Sequence, residues 1–158
     1  MPIISGIPSI SPVAFQAAPA TVATLYSMYP PAQYVRNYVW VTDLHDGQPD
    51  VVISDGTYWK PTRPLAARAV ANSDSAMTLT TLTNAPTQIM KGVLTANRAI
   101  TLSTVNAYPG AKFRIKREAT GTLLTLLVNG IGLGLNSWVD MEYDTAQGWV
   151  QTASGGLL

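Results

Sequence analysis

The chain has 158 residues and no cysteine, with 10 Lys plus Arg against 9 Asp plus Glu, a charged fraction of only 12% and a hydrophobic fraction of 47%. The missing cysteine excludes disulfides, thiolate nucleophiles and thiolate metal sites, and a net charge of +1 gives no electrostatic basis for holding a phosphate backbone, so nucleic acid is not an expected partner. Globular chains usually carry about 25% charged residues, so much of this unusually uncharged surface is expected to meet other protein.

From Met1 to Val35 no side chain is charged, and Pro2, Pro8, Pro12, Pro19, Pro30 and Pro31 punctuate the run. Proline blocks helix continuation and central-strand pairing, so Pro2 to Pro19 is expected to run extended as an arm. Its Ile3, Ile4, Ile7, Ile10, Val13 and Phe15 then need a foreign surface to cover them, which makes them candidate attachment residues. The N-terminus has neither the basic region nor the continuous apolar stretch of a signal peptide, so secretion is not expected.

Ala20 to Tyr29 is bounded by proline and places Val22, Leu25, Tyr26 and Tyr29 at helical spacing, which predicts a short helix. Three short strands follow, at Tyr38–Val41, Val51–Ile53 and Thr57–Trp59, with Asp55-Gly56 as the signal for a tight primed turn between the last two. Lys60-Pro-Thr-Arg-Pro64 closes this unit. Ala66 to Ala71 is expected to add at most a helical turn, and Asn72-Ser-Asp-Ser75 is turn chemistry. The expected division is an attachment arm, helix and hairpin unit over 1–66, a linker over 67–75 and a β domain over 76–158.

In that last part the expected strands are Met77–Leu82, Gln88–Val93, Ala99–Leu102, Lys112–Arg117, Leu123–Val128, Ser137–Tyr143 and Gly148–Thr152. The turns between them recur at roughly the 8 to 12 residue rhythm of an antiparallel sandwich or jelly roll. The expected fold is therefore mainly β, with such a domain at the C-terminal end. Leu123 to Val128 does not alternate cleanly, so both of its faces need cover. Leu124, Leu126 and Val128, with Gly130, Gly132 and Gly134 allowing close approach, are candidate residues of an interface between copies. The tract from Leu123 to Leu135 is broken by Asn129 and glycines and is shorter than the ~20 residues of a spanning helix, so no membrane is expected.

Two segments, Val52 to Trp59 and Met141 to Trp149, each run strand, Asp-led turn, then a Trp on the returning strand. Such a Trp is expected to pack across its hairpin while its N–H reaches a partner. Residues for catalysis are few. His45, the single histidine, lies in the acid-rich stretch Asp43 to Asp50, whose spacing fits neither an EF-hand nor a zinc protease, so no metal is expected. Gly130-Ile-Gly-Leu-Gly134 lacks the following helix of a dinucleotide loop. Asp140 and Glu142 share a strand face and are expected to be a solvated face beside Lys112, Arg114 and Lys116 rather than a glycosidase pair. Neither a cofactor nor an enzymatic activity is expected.

Tyr29-Pro-Pro-Ala-Gln-Tyr34, Val41-Thr-Asp-Leu44 and Ser54-Asp-Gly-Thr-Tyr-Trp-Lys-Pro61 resemble small bacteriophage virion proteins. The succession Ile100-Thr-Leu102, Tyr108-Pro-Gly-Ala-Lys-Phe-Arg-Ile115, Ala119-Thr-Gly121 and Trp138 to Trp149 is similar to a module of phage head-decoration and head-fibre proteins. The resemblance covers most of residues 29–154 and implies a homotrimeric β module in the virion, without catalytic residues, held by its N-terminal segment to the major capsid protein or another virion protein. A capsid decoration or head-fibre role is the leading expectation, since no internal repeat is present to build a long shaft. A tail-associated short fibre, spike adaptor or collar component is the alternative. A carbohydrate-binding module using Trp40, Trp59, Trp138 and Trp149 is the third.

Overall fold

The computed structural model describes residues 18–45, 47–62, 68–71, 74–118 and 124–157. The attachment candidates Ile3, Ile4, Ile7, Ile10, Val13 and Phe15 lie outside the described residues, and the structure bears on none of them.

The chain is mainly β. The one α-helix among the described residues, α1 (Val22–Met28), starts at Thr21. There the Thr21 hydroxyl accepts from the Thr24 amide and the Thr24 hydroxyl from the Thr21 amide, so two otherwise orphaned donors are satisfied reciprocally. Asp43 adds a third tie by accepting from the Val22 amide at 2.7 Å. A 3₁₀ turn at Pro31–Gln33 follows, and then three strands, β1 (Tyr38–His45), β2 (Gln48–Ser54) and β3 (Trp59–Pro61), form an antiparallel meander. The turn after Ser54 is not a two-residue primed turn but a four-residue loop. Asp55 Oδ1 accepts from the amides of both Thr57 and Tyr58, and Gly56 supplies a φ of 98°.

One face of this sheet packs under α1. Leu25, Val39, Val41, Leu44, Val52 and Trp59 are buried together, and Leu82 reaches in from much later in the chain. The hairpin unit thus takes part of its core from beyond residue 76.

The rest of the chain forms two sheets. Strands β4 (Arg68–Ala71), β6 (Thr87–Lys91), β8 (Lys112–Glu118), β11 (Ser137–Asp144) and β12 (Gly148–Gly156) make the larger, in the order β12-β11-β8-β6-β4. Strands β5 (Met77–Leu79), β7 (Arg98–Leu102), β9 (Leu126–Val128) and β10 (Ile131–Leu133) make the smaller, in the order β10-β9-β7-β5. One core joins them. Leu79, Ile100, Leu102, Leu126, Val128 and Leu133 come from the smaller sheet, and Met90, Phe113, Ile115, Val139 and Met141 from the larger.

The pairing departs from the antiparallel sandwich or jelly roll expected from the sequence. From β4 to β9 the chain alternates between sheets, and each strand lies parallel to the one two places earlier: β4 beside β6, β6 beside β8, β5 beside β7, β7 beside β9. Antiparallel pairing is confined in this unit to β9–β10, β8–β11 and β11–β12. The chain is wound like a short solenoid of irregular turns, each using roughly 20 to 30 residues, and closed by antiparallel strands. The stretch expected as linker contains β4, an edge strand rather than a helical turn, because Arg68 to Ala71 find a ladder partner in Gln88 to Lys91.

The Trp pair behaves as its shared design implies. Trp59 Nε1–H donates to the Tyr29 carbonyl at 2.8 Å and Trp149 Nε1–H to the Ser103 carbonyl at 3.0 Å. Asp144 repeats the Asp55 device by accepting from Ala146 and Gln147. Each Trp therefore ties its hairpin to a distant carbonyl.

Candidate interaction surface

Alternation on β1 decides what the hairpin unit shows to its surroundings. Val39 and Val41 point inward, so Tyr38 and Trp40 point outward, where they are 57% and 45% exposed. Register places Ile53 opposite Tyr38 and Val51 opposite Trp40, which extends the apolar strip onto β2. Lys60, opposite Ile53 on β3, is the cation nearest this strip on the sheet. Its ammonium lies 2.7 Å from Asp55 Oδ2 and 5.2 Å from the centre of the Tyr108 ring, so its charge is largely spent. Burial alone would raise the Asp55 carboxyl, but Lys60 and the Tyr58 and Thr57 amides outweigh it and hold it down at about 2.

The interface candidates of the wound unit are placed differently from expectation. Leu126 and Val128 are buried in the chain's own core, so their side chains cannot meet another copy, and Leu124 packs partly against the same core. The reason is that β9 is an inner strand of its sheet, covered by the larger sheet rather than by a neighbour. Gly130, Gly132 and Gly134 are exposed. Gly130 serves a local purpose: Asn129 and Gly130, with φ of 46° and 85°, form the turn of the β9–β10 hairpin, whose second strand is not among those expected from the sequence.

Several of the charged side chains singled out in the sequence are engaged in structure. Asp140 and Glu142 face Arg114 and Lys112 across the β8–β11 ladder. Arg114 donates to both Asp140 oxygens, at 2.6 and 2.5 Å, and its guanidinium lies 4.7 Å from the Trp138 ring centre. That carboxylate bond raises Arg114 further above its usual range. Asp74 accepts from Arg98 and Thr95, Arg98 being the larger of the causes that hold it well below the usual carboxylate range. Among the described residues no three His, Cys, Asp or Glu side chains gather as metal ligands would, and no helix is long and apolar enough to cross a membrane. His45 ends β1, and its side chain lies outside the described ones.

A cleft of about 440 Å³ separates the hairpin unit from the wound unit and is lined by Pro61, Thr81, Pro86, Tyr108, Lys112 and Phe113 among others. Its titratable lining groups are Tyr108, which burial pushes up and Lys60 partly restores, and Lys112, which pairs with Glu142 at 3.3 Å. Among the described lining residues no acid and base face one another across it. Of the four tryptophans proposed as sugar platforms, Trp59 is fully buried, Trp149 packs on Phe113, and Trp138 is covered by Arg114. Trp40 keeps an open face.

Compared with known proteins, the chain matches no family model and no curated protein.

Proposed function

We propose that this chain is a non-enzymatic structural protein of a bacteriophage particle, a capsid decoration or head-fibre subunit that joins the shell through its N-terminal arm and works as a homotrimer. The observation that carries this reading is a division of labour on the surface. Charged side chains at the candidate sites are paired with one another or used as caps, while the hairpin unit, to which the uncharged arm is joined, shows tyrosine, tryptophan and aliphatic side chains outward. An apolar strip of this kind is often functional, as a surface that meets another protein. The phage and trimer assignments come from the resemblance of the PPA, VTDL and DGTYWKP segments and of the Trp138 to Trp149 stretch.

Antibody labelling of isolated particles tests the position: label is expected on the head, and label confined to the tail would move the protein to a short fibre, adaptor or collar role. Native mass measurement of the purified chain is expected to give three copies. A stable monomer at micromolar concentration would remove the oligomeric part of the reading.

A further inference from the structure

The arm and the apolar strip of the hairpin unit meet at one place. Ala20 pairs in parallel with Val41: its amide donates to the Trp40 carbonyl at 3.0 Å, and its carbonyl accepts from the Thr42 amide at 2.9 Å. Ala18 is held two residues earlier, its carbonyl accepting from the Tyr29 hydroxyl at 3.0 Å. Because the pairing is parallel, the chain before Ala20 leads back toward the Tyr38 end of β1. The uncharged residues 1–17 therefore join the described structure at the edge of the sheet whose outer face carries Tyr38, Trp40, Val51 and Ile53.

Area and charge decide what fits that face. Tyr38 and Trp40 together leave roughly 250 to 300 Å² open, against about 800 Å² per partner in a standard stable interface. The strip is too small to hold a second copy by itself. It is adequate as one part of a composite surface, and a 17-residue segment can extend up to roughly 55 Å from its anchor to supply the rest. Arm and strip are also alike in chemistry: the arm has no charge, Lys60, the cation on the sheet beside the strip, is engaged by Asp55 and Tyr108, and Arg36, exposed two residues before Tyr38, stands at the strip's rim.

We infer that the outer face of the β1–β2–β3 sheet, centred on Tyr38 and Trp40, docks on the same shell protein that receives the N-terminal arm and requires of it an uncharged, apolar surface beside the arm's binding track. The inference rests on the virion reading and adds to it a second, folded contact. In this arrangement the arm provides reach and the sheet face fixes orientation, since a flat patch on a rigid sheet cannot rotate against its partner as an extended segment can.

The test compares full-length protein with Trp40→Lys, Tyr38→Lys and the control Val105→Lys, which places the same charge on an exposed valine of the wound unit. Each is co-sedimented with shells of the parent particle assembled without this protein, and melting temperatures verify folding. Trp40→Lys and Tyr38→Lys are each expected to weaken shell binding at least tenfold, with the control within twofold of the parent. Shells that bind the parent and Trp40→Lys equally would overturn the inference and leave the virion reading standing. Shells that do not bind the parent would overturn both. A smaller sedimenting species for Trp40→Lys in free solution would assign the face to a second copy, and glycan-array binding by the parent that this variant loses would assign it to a sugar; either result overturns the inference.

Discussion

In the hairpin unit each strand pairs with its neighbour in sequence, β1 with β2 and β2 with β3, whereas in the wound unit β4 to β9 pair with strands two elements away. The first arrangement makes one sheet, of which α1 and Trp59 cover a single face. The second makes two sheets that cover each other and need no helix. The difference shows where an apolar outer surface can persist. A lone three-stranded sheet has an uncovered face whose composition partner contacts can dictate. In the larger sheet of the wound unit the corresponding outer face carries the Lys112, Arg114, Asp140 and Glu142 pairs.

The contrast breaks most visibly at Trp59. It is fully buried at the centre of the smaller core and donates to Tyr29, so Trp59→Ala is expected to cost about 3 to 5 kcal/mol in urea unfolding. Hydrogen exchange should show the loss first in β1 to β3. Equal acceleration in β8 and β11 would mean that Leu82 couples the two cores so tightly that they unfold as one.

The wound unit has its own pin, of a different kind. Arg117 is buried on the inward face of β8, in line with Phe113 and Ile115, and donates to the Leu133 carbonyl at 2.9 Å and to the Leu124 carbonyl. Its other terminal nitrogen finds no partner, and burial pulls the guanidinium below its ordinary range. Arg117→Ala relieves a buried charge but strands two carbonyls and opens a cavity, so a net loss of about 2 to 3 kcal/mol is expected by chemical denaturation. Stability equal to the parent would show that the β9–β10 hairpin is held by its apolar side chains alone.

The smallest expected effect sharpens the role of the Asp55 loop. The folded carboxyl titrates at about 2, below the ordinary value near 4, so its contribution is present above about pH 4 and lost as pH falls toward 2. The side chain is about a third exposed, so solvent reduces the contribution to about 1 kcal/mol. Asp55→Asn should flatten the pH 2 to 4 limb of the stability curve by that amount. An unchanged limb would place the acid sensitivity elsewhere, with Asp74 and Arg98 the next pair to test.

Sequence reading succeeded where structure is local. The α1 helix, β1, β2, the Asp at the head of each turn and the Trp on each returning strand follow from spacing within a dozen residues, whereas β3 runs Trp59–Pro61 rather than Thr57–Trp59 because the Asp55 loop holds Thr57 and Tyr58. It failed where the partner is far away. The connections between wound strands are longer than the hairpin loops, but successive strands still begin at close to the same spacing, so the 8 to 12 residue rhythm does not separate a chain that turns back from one that crosses to a second sheet. Leu126 and Val128 are expected at an interface between copies because Leu123 to Val128 does not alternate cleanly, but their cover, the larger sheet, is assembled from residues before and after β9. Asn129-Gly130 did signal the missed hairpin, and only the glycines after it disguised β10. Of the candidate interaction surface, the outward pair Tyr38 and Trp40 was legible as alternation, but its exposure depended on knowing that α1 lies on the opposite side.

The winding of β4 to β9 also sets the order in which this molecule can assemble. A strand in such a coil has no ladder partner until the chain has travelled through the other sheet and returned, so closing each turn costs loop entropy before any hydrogen bond rewards it. Contacts of this range place folding toward the slow end for small domains, on the order of milliseconds to seconds. During synthesis β8 must wait for β11, which lies further along the chain, and until it arrives the ladder of β8 is open on one side. Copies crowded at that stage would offer one another the same unpaired edge, so contact with other chains is best delayed until β11 has paired with β8.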